Sequence, residues 1–210
     1  MIDLSRRAVL GGIALLPVAG CVSTSADPVV EPIDYGMRLD GGFSIPALQT
    51  DDVPAGQLRQ VVPFEIDYPR DSIVIIADEH ALYLVLRGGF ALRYSIAVGR
   101  EALGWRGNAE IYRGEPWPGA MAAPQPPLMV VPGGATPSVD VPAGPVAPMG
   151  ARALYLRSRG TGADEGLRIH GTPIGTTGER GDTAGYYRMI NQEIIDLYDR
   201  VGEGTLVTIL

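Results

Sequence analysis

Apolar and polar positions change their pattern twice along this chain. An unbroken apolar run, Ala8 to Ala19, opens it. Residues 22 to about 70 then show no sustained period, and Pro28, Pro32, Pro46, Pro54, Pro63 and Pro69 exclude a long helix or a central strand. From Ser72 the pattern becomes that of strands. Ser72-Ile-Val-Ile-Ile-Ala77 is a β-branched run, Asp78 to His80 a turn, Ala81 to Leu86 a second strand, and Arg87 to Gly89 a second turn. Phe90 to Val98 alternates in part, so two hairpins in succession predict a meander. Further strands are predicted at Asn108–Tyr112, Arg152–Arg157, Leu167–His170 and Thr205–Leu210.

One helix is predicted near the end. Ile194, Ile195, Tyr198 and Val201 share a face, with Asn191 as the expected N-cap and Gly202 as the stop. Glu193 in the first turn and Arg200 in the last suit the helix dipole, and Asp196 with Arg200 forms an i,i+4 pair. Residues 114–150 are dense in Pro and Gly, and so long a structureless stretch reads either as a functional lid or as a surface insertion. The fold class is therefore mainly β, with one helix towards the C-terminus. The division is 1–20 as an address, 21–70 as a tether or irregular segment, and 71–210 as the folded domain.

Composition agrees with a loop-rich β protein: Gly 28 and Pro 18 in 210 residues exceed average usage. The net charge of −7 argues against nucleic acid, which needs a basic patch. All basic side chains are Arg. No cofactor is implied. The single cysteine, Cys21, cannot form an internal disulfide, and the two histidines lack metal-ligand spacing, so no metal site is expected.

The first twenty residues read as a signal peptide: Ser5-Arg6-Arg7 precedes an apolar run too short to span a bilayer. The paired arginines suit either the twin-arginine route or an ordinary secretory signal. Val18-Ala19-Gly20-Cys21 resembles a bacterial lipobox, which implies lipidation of Cys21, a periplasmic location and attachment to a membrane. Val22 in place of Asp favours the outer membrane.

Taken singly, His170 after an apolar strand and Arg188 beside two tyrosines read as packed structural residues. Together with their neighbours they form a pattern. Pro148 to Leu156, Ile169-His-Gly-Thr172, Gly185-Tyr-Tyr-Arg-Met189, Asn191, Asp196-Leu-Tyr198, Val201 and Gly204-Thr205 resemble the L,D-transpeptidase (YkuD-type) catalytic domain, over about residues 70–210. The resemblance implies a β-sandwich with one packed helix. It also implies an activity, in which a cysteine thiolate attacks a peptidoglycan tetrapeptide, D-alanine leaves, and the acyl group passes to an amine or to water. A histidine activates the thiol, and backbone N–H groups hold the oxyanion.

Carried over by position, His170 and Arg188 take the family's catalytic places, and Gly171, Thr172 and Gly185 complete the motifs. Thr183 stands for the family's Ser, and Tyr186 stands where the family has its nucleophilic Cys. A phenol, with pKa about 10, is harder to ionise than a thiol, and its oxygen sits further from the backbone. Three functions are then open. One is a non-catalytic binder of peptidoglycan stem peptides or of a cell-wall enzyme. Another is an enzyme using a substitute nucleophile, Tyr186 above all and Thr183 or Ser158 after it. The third is a structural lipoprotein.

Overall fold

The computed structural model describes residues 28–65, 67–100, 102–119, 142–145, 147–172 and 186–210, and Asp52 and Tyr186 by their backbones. The predicted signal peptide, Cys21, Thr183 and Gly185, and most of the 114–150 stretch, lie outside the described residues.

The meander forms as the sequence predicts. Strands β4 (Ile73–Ile76), β5 (Ala81–Val85) and β6 (Phe90–Ser95) pair antiparallel in order. A 3₁₀ turn, Ala77–Glu79, ends at His80 in the left-handed region (φ 51°) and makes the first corner. The run Ile73–Ile76 is apolar at every position because both of its faces are covered. Ile73 and Ile75 enter the main core with Leu82, Leu84, Leu92 and Tyr94. Val74 enters a second cluster with Phe64, Tyr83, Val85 and Ala91, and Ile76 packs against it. A strand buried on both sides loses its alternation.

Ten strands make one mixed sheet. Its order is β3 (Gln60–Pro63), β6, β5, β4, β12 (Leu206–Ile209), β8 (Gly107–Pro116), β9 (Arg152–Ser158), β10 (Arg168–His170), β11 (Tyr186–Arg188) and β7 (Ala97–Val98). Only Ile96 separates β6 from β7 in the chain, yet β6 lies near one edge of the sheet and β7 at the other. The sheet therefore folds back on itself, and both halves feed one core. That core holds Ile73, Leu92, Leu154, Leu156, Ile169, Tyr187 and Val207 together with Ile194 and Leu197 of helix α1 (Asn191–Tyr198).

Residues 28–63 contain more structure than their composition suggests. β1 (Arg38–Asp40) and β2 (Phe43–Ile45) form a hairpin, and β3 joins the main sheet as an edge strand beside β6. Pro63 is tolerated there because it ends an edge strand. The hairpin packs Ile45 and Phe43 against Trp117, Ala151 and Ile195. Arg152 grips Asp40 with two nitrogens at 2.7 and 2.9 Å, and Trp117 Nε1 donates to the same carboxylate at 2.6 Å.

Asn191 is not the N-cap. Ile190 occupies that position in extended conformation without a side-chain cap, and Asn191 begins the helix itself. Its amide oxygen is used elsewhere, accepting from the Ala151 N–H at 2.9 Å.

Candidate active site

Strand β10 brings His170 to the site because the chain pairs on both sides of it. β9 runs antiparallel to it, with His170 opposite Ala153, and β11 runs parallel, with His170 beside Arg188 and Arg168 beside Tyr186. Positions two apart along a strand share a face. Arg188 and His170 therefore occupy one face of the sheet on adjacent strands, and Ile169 and Tyr187 occupy the other, within the core. The main-chain carbonyl of His170 accepts from Met189 N at 2.8 Å, which ties β10 to the entry of α1.

The imidazole is buried, at 2 % exposure, with Gly171 and Thr172 buried beside it. Nδ1 lies 2.6 Å from the Gly171 carbonyl oxygen. A carbonyl can only accept, so Nδ1 carries the hydrogen and the neutral ring keeps its lone pair on Nε2. Burial pushes the His170 pKa down to about 4; the charge of Arg188 acts in the same direction, while the Gly171 and Met149 backbone oppose it. The ring is neutral at physiological pH.

The wall behind His170 is backbone crossing backbone. Gly150 has φ 62°, and a Cβ there would collide with Asn191 Oδ1 and the Gly171–Thr172 peptide. Gly171 is enclosed by the same Asn191 oxygen and by Ile194. Gly171 N donates to Arg152 O at 3.0 Å. Asn191 is thus the clamp between the 147–151 turn and the strand carrying His170. Gly150 and Asn191 both stand in the motifs quoted above, but their role depends on a crossing of segments about 20 and 40 residues apart.

The ladder places the other sequence candidates differently. Ser158 lies at the far end of β9, five residues beyond the partner of His170, or roughly 16 Å along the strand. It lines a separate cavity of about 540 Å³ with Trp105, Arg106, Asn108 and Arg159, and it is no substitute nucleophile for a base at His170. Beside the site, Arg113 and Arg168 each lie 4.6 Å from the ring centre of Tyr155, and Arg168 pairs with Tyr186 across β10–β11. Arg168 also holds Asp164 through two nitrogens, and this contact above all lowers the Asp164 pKa to about 2. Among the described residues no group of three or more His, Cys, Asp or Glu is placed to hold a metal.

What this arrangement can do follows from proton affinities. A phenol is harder to ionise than a thiol, and a buried, neutral imidazole takes a proton from either less readily than a free one does. The strands keep a base and an arginine in register.

Residues 70–209 match the L,D-transpeptidase catalytic domain, YkuD. No curated protein matches the chain. Among solved structures the chain is similar to a probable carnitine operon oxidoreductase from Brucella melitensis, at 31 % identity and TM-score 0.45, covering 77 % of this chain and 99 % of that one. It is also similar to Bdellovibrio bacteriovorus Bd1075, at 18 % identity and TM-score 0.45, covering 72 % of this chain and 53 % of that one. A third is the L,D-transpeptidase of Xylanimonas cellulosilytica, at 14 % identity and TM-score 0.43, covering 71 % and 64 %.

Proposed function

Because the chain belongs to the L,D-transpeptidase (YkuD-type) family, we propose that it is a lipid-anchored envelope protein that binds peptidoglycan stem peptides or a cell-wall enzyme without forming cross-links. The supporting observation is the residue at one position. Tyr186 takes the nucleophile's place in the motif, on the strand beside a His170 that burial keeps neutral. Recognition and chemistry are separable here. Gly171, Thr172 and Arg188 supply polar backbone and a cation for a peptide ligand, while the acyl-enzyme step lacks its thiolate. The lipobox-like Cys21 would anchor the protein to a membrane near the wall, the outer membrane favoured over the inner.

The test is incubation of the purified chain with disaccharide-tetrapeptides, read two ways. Mass spectrometry should show neither 3–3 cross-linked dimers nor loss of the terminal D-alanine. Co-sedimentation with purified sacculi should retain the protein, and Arg188→Ala should weaken that retention. Cross-linked product from the wild-type chain would make it a working transpeptidase with a substitute nucleophile. Failure to sediment with sacculi would move the ligand from the wall to a protein partner.

A further inference from the structure

A second cluster of titratable groups lies on helix α1, outside the site. Glu193 is fully buried, at 0 % exposure, and it is held by residues from far along the chain. Its Oε1 accepts from Tyr35 Oη at 2.8 Å and from the Arg59 N–H at 2.7 Å. Among the described residues its Oε2 has no hydrogen-bond partner. One turn on, Asp196 accepts two bonds from Arg59 Nη1, at 3.0 and 3.1 Å, and one from Tyr94 Oη at 2.7 Å. Gln192 of the same helix donates to Pro46 O at 2.9 Å.

Residues 35–59 are therefore strapped across α1 by polar contacts, and the central one is a carboxyl with half of its hydrogen-bonding capacity unmet. We infer that this strap is proton-linked: it docks firmly on α1 while Glu193 is protonated and loosens when Glu193 ionises. An ionised carboxylate with a bare buried oxygen is costly, whereas a strap that lifts away returns Glu193 to water.

The direction follows from the neighbours. Burial is the dominant influence and raises the Glu193 pKa from its ordinary 4.5 to about 7, Tyr35 and Arg59 pull it down by less, and the Asp196 charge adds to the rise. Facing the group are Tyr35 and Arg59 from the strap, Asp196 from its own helix, Arg200 from the turn that follows the helix, and Tyr94 from β6 through Asp196. Burial and the Glu193 charge hold the Tyr35 hydroxyl well above the ordinary phenol range, so it stays a donor throughout. Asp196 is net lowered: burial raises it, and Arg200, Tyr94 and Arg59 together outweigh that, so it is ionised across the same range. Glu193 alone in this cluster titrates near neutrality. The docked state binds its proton more tightly than the open state. Docking is therefore at full strength below pH 4.5 and weakens progressively as the pH rises to about 7. The same first turn carries Asn191, so strap and site share one support.

This inference does not depend on what the groove binds. Its test is hydrogen exchange by mass spectrometry on the full chain at pH 5.5 and 8.5, corrected for intrinsic exchange, reading peptides that span residues 35–59. Full linkage between the two pKa values corresponds to about thirtyfold more opening at pH 8.5, and at least about tenfold is expected. Glu193→Gln keeps the acceptor and removes the charge, so its strap should open equally at both pH values, within about twofold. Tyr35→Phe, altered on the strap alone, should open more at both pH values and keep the pH dependence. Peptides from β5 serve as the control for global unfolding and should remain protected. Equal strap exchange at the two pH values in the wild-type chain overturns the inference, and so does a pH dependence that survives Glu193→Gln in a folded protein.

Discussion

Arg188 sits directly beside His170 in the parallel ladder of β10 and β11, and its charge works with burial to keep the imidazole neutral. In the family mechanism a histidine and an arginine cooperate around a thiolate. Without the thiolate, the positive charge of Arg188 beside the ring disfavours its protonated form.

The first prediction concerns that pair. Replacing Arg188 with Met should raise the His170 pKa, because a nearby positive charge is removed, yet leave it below 6.5, because burial is the larger cause. Imidazole NMR titration of the wild-type chain and the variant measures both values. A wild-type His170 that titrates near 6.5 would falsify the neutral-ring account.

Asn191→Ala tests the clamp behind the site. It leaves the buried Ala151 N–H without its acceptor, at a cost of about 1–3 kcal/mol. Gly150→Ala should cost at least as much, since φ 62° and the collision with Asn191 Oδ1 act together. Urea denaturation of the two variants gives the values, and a stability change under about 0.5 kcal/mol for both would remove the clamp from the account.

Much of this architecture was legible in the chain. The β-branched run at Ile73–Ile76 and its turns gave the meander, and the Asp196–Arg200 pair forms as its spacing predicts, at 2.8 Å. His170 and Arg188 were placed by motif, and strand pairing brings them together. What was hidden depends on partners distant in sequence. β1, β2 and β3 are three or four residues long, too short to show a period, and their apolar residues pack on Trp117, Ile195 and β6. Tyr186–Arg188, for which no strand was predicted, forms one because β10 and β7 offer pairing on both sides. Glu193 reads as a partner of the helix dipole, and the strap buries it.

Asp40 carries the third prediction. The two bonds from Arg152 hold its carboxyl below the usual range, burial opposes them, and Trp117 assists. A depressed carboxyl contributes stability above its unfolded pKa, and the contribution is lost as the pH falls through the folded value. The β1–β2 hairpin should therefore loosen below about pH 4, seen as a change in Trp117 fluorescence. Asp40→Asn should destabilise the chain by about 2 kcal/mol at pH 7 and flatten that acid transition. A transition unchanged in the variant would assign it to another carboxylate.

The address makes the fourth. Cys21→Ala should move the protein from the membrane fraction to the soluble periplasmic fraction. Replacing Arg6 and Arg7 with Lys should impair export if the twin-arginine route is used, and normal export of that double variant would leave an ordinary secretory signal.

The last prediction restores the missing atom. The wild-type chain should form no adduct with a carbapenem, a β-lactam that acylates the family's cysteine. Tyr186→Cys puts a cysteine on β11 at the position whose backbone is in register with Arg168, two residues before Arg188. An adduct should then appear by intact-mass spectrometry. Its rate carries more information than its presence. With His170 held near 4, the imidazole takes a thiol proton poorly, so the reactive thiolate depends on ordinary ionisation near pH 8.5. The acylation rate should therefore climb about tenfold between pH 7 and 8.5 and then level off. A rate already flat at pH 7 would mean that the pair ionises internally and that His170 is a stronger base than its burial implies. No adduct at any pH would mean that the groove no longer admits a β-lactam, which favours a structural lipoprotein. An adduct on the wild-type chain would show that another nucleophile has taken over, and the non-catalytic reading would fall.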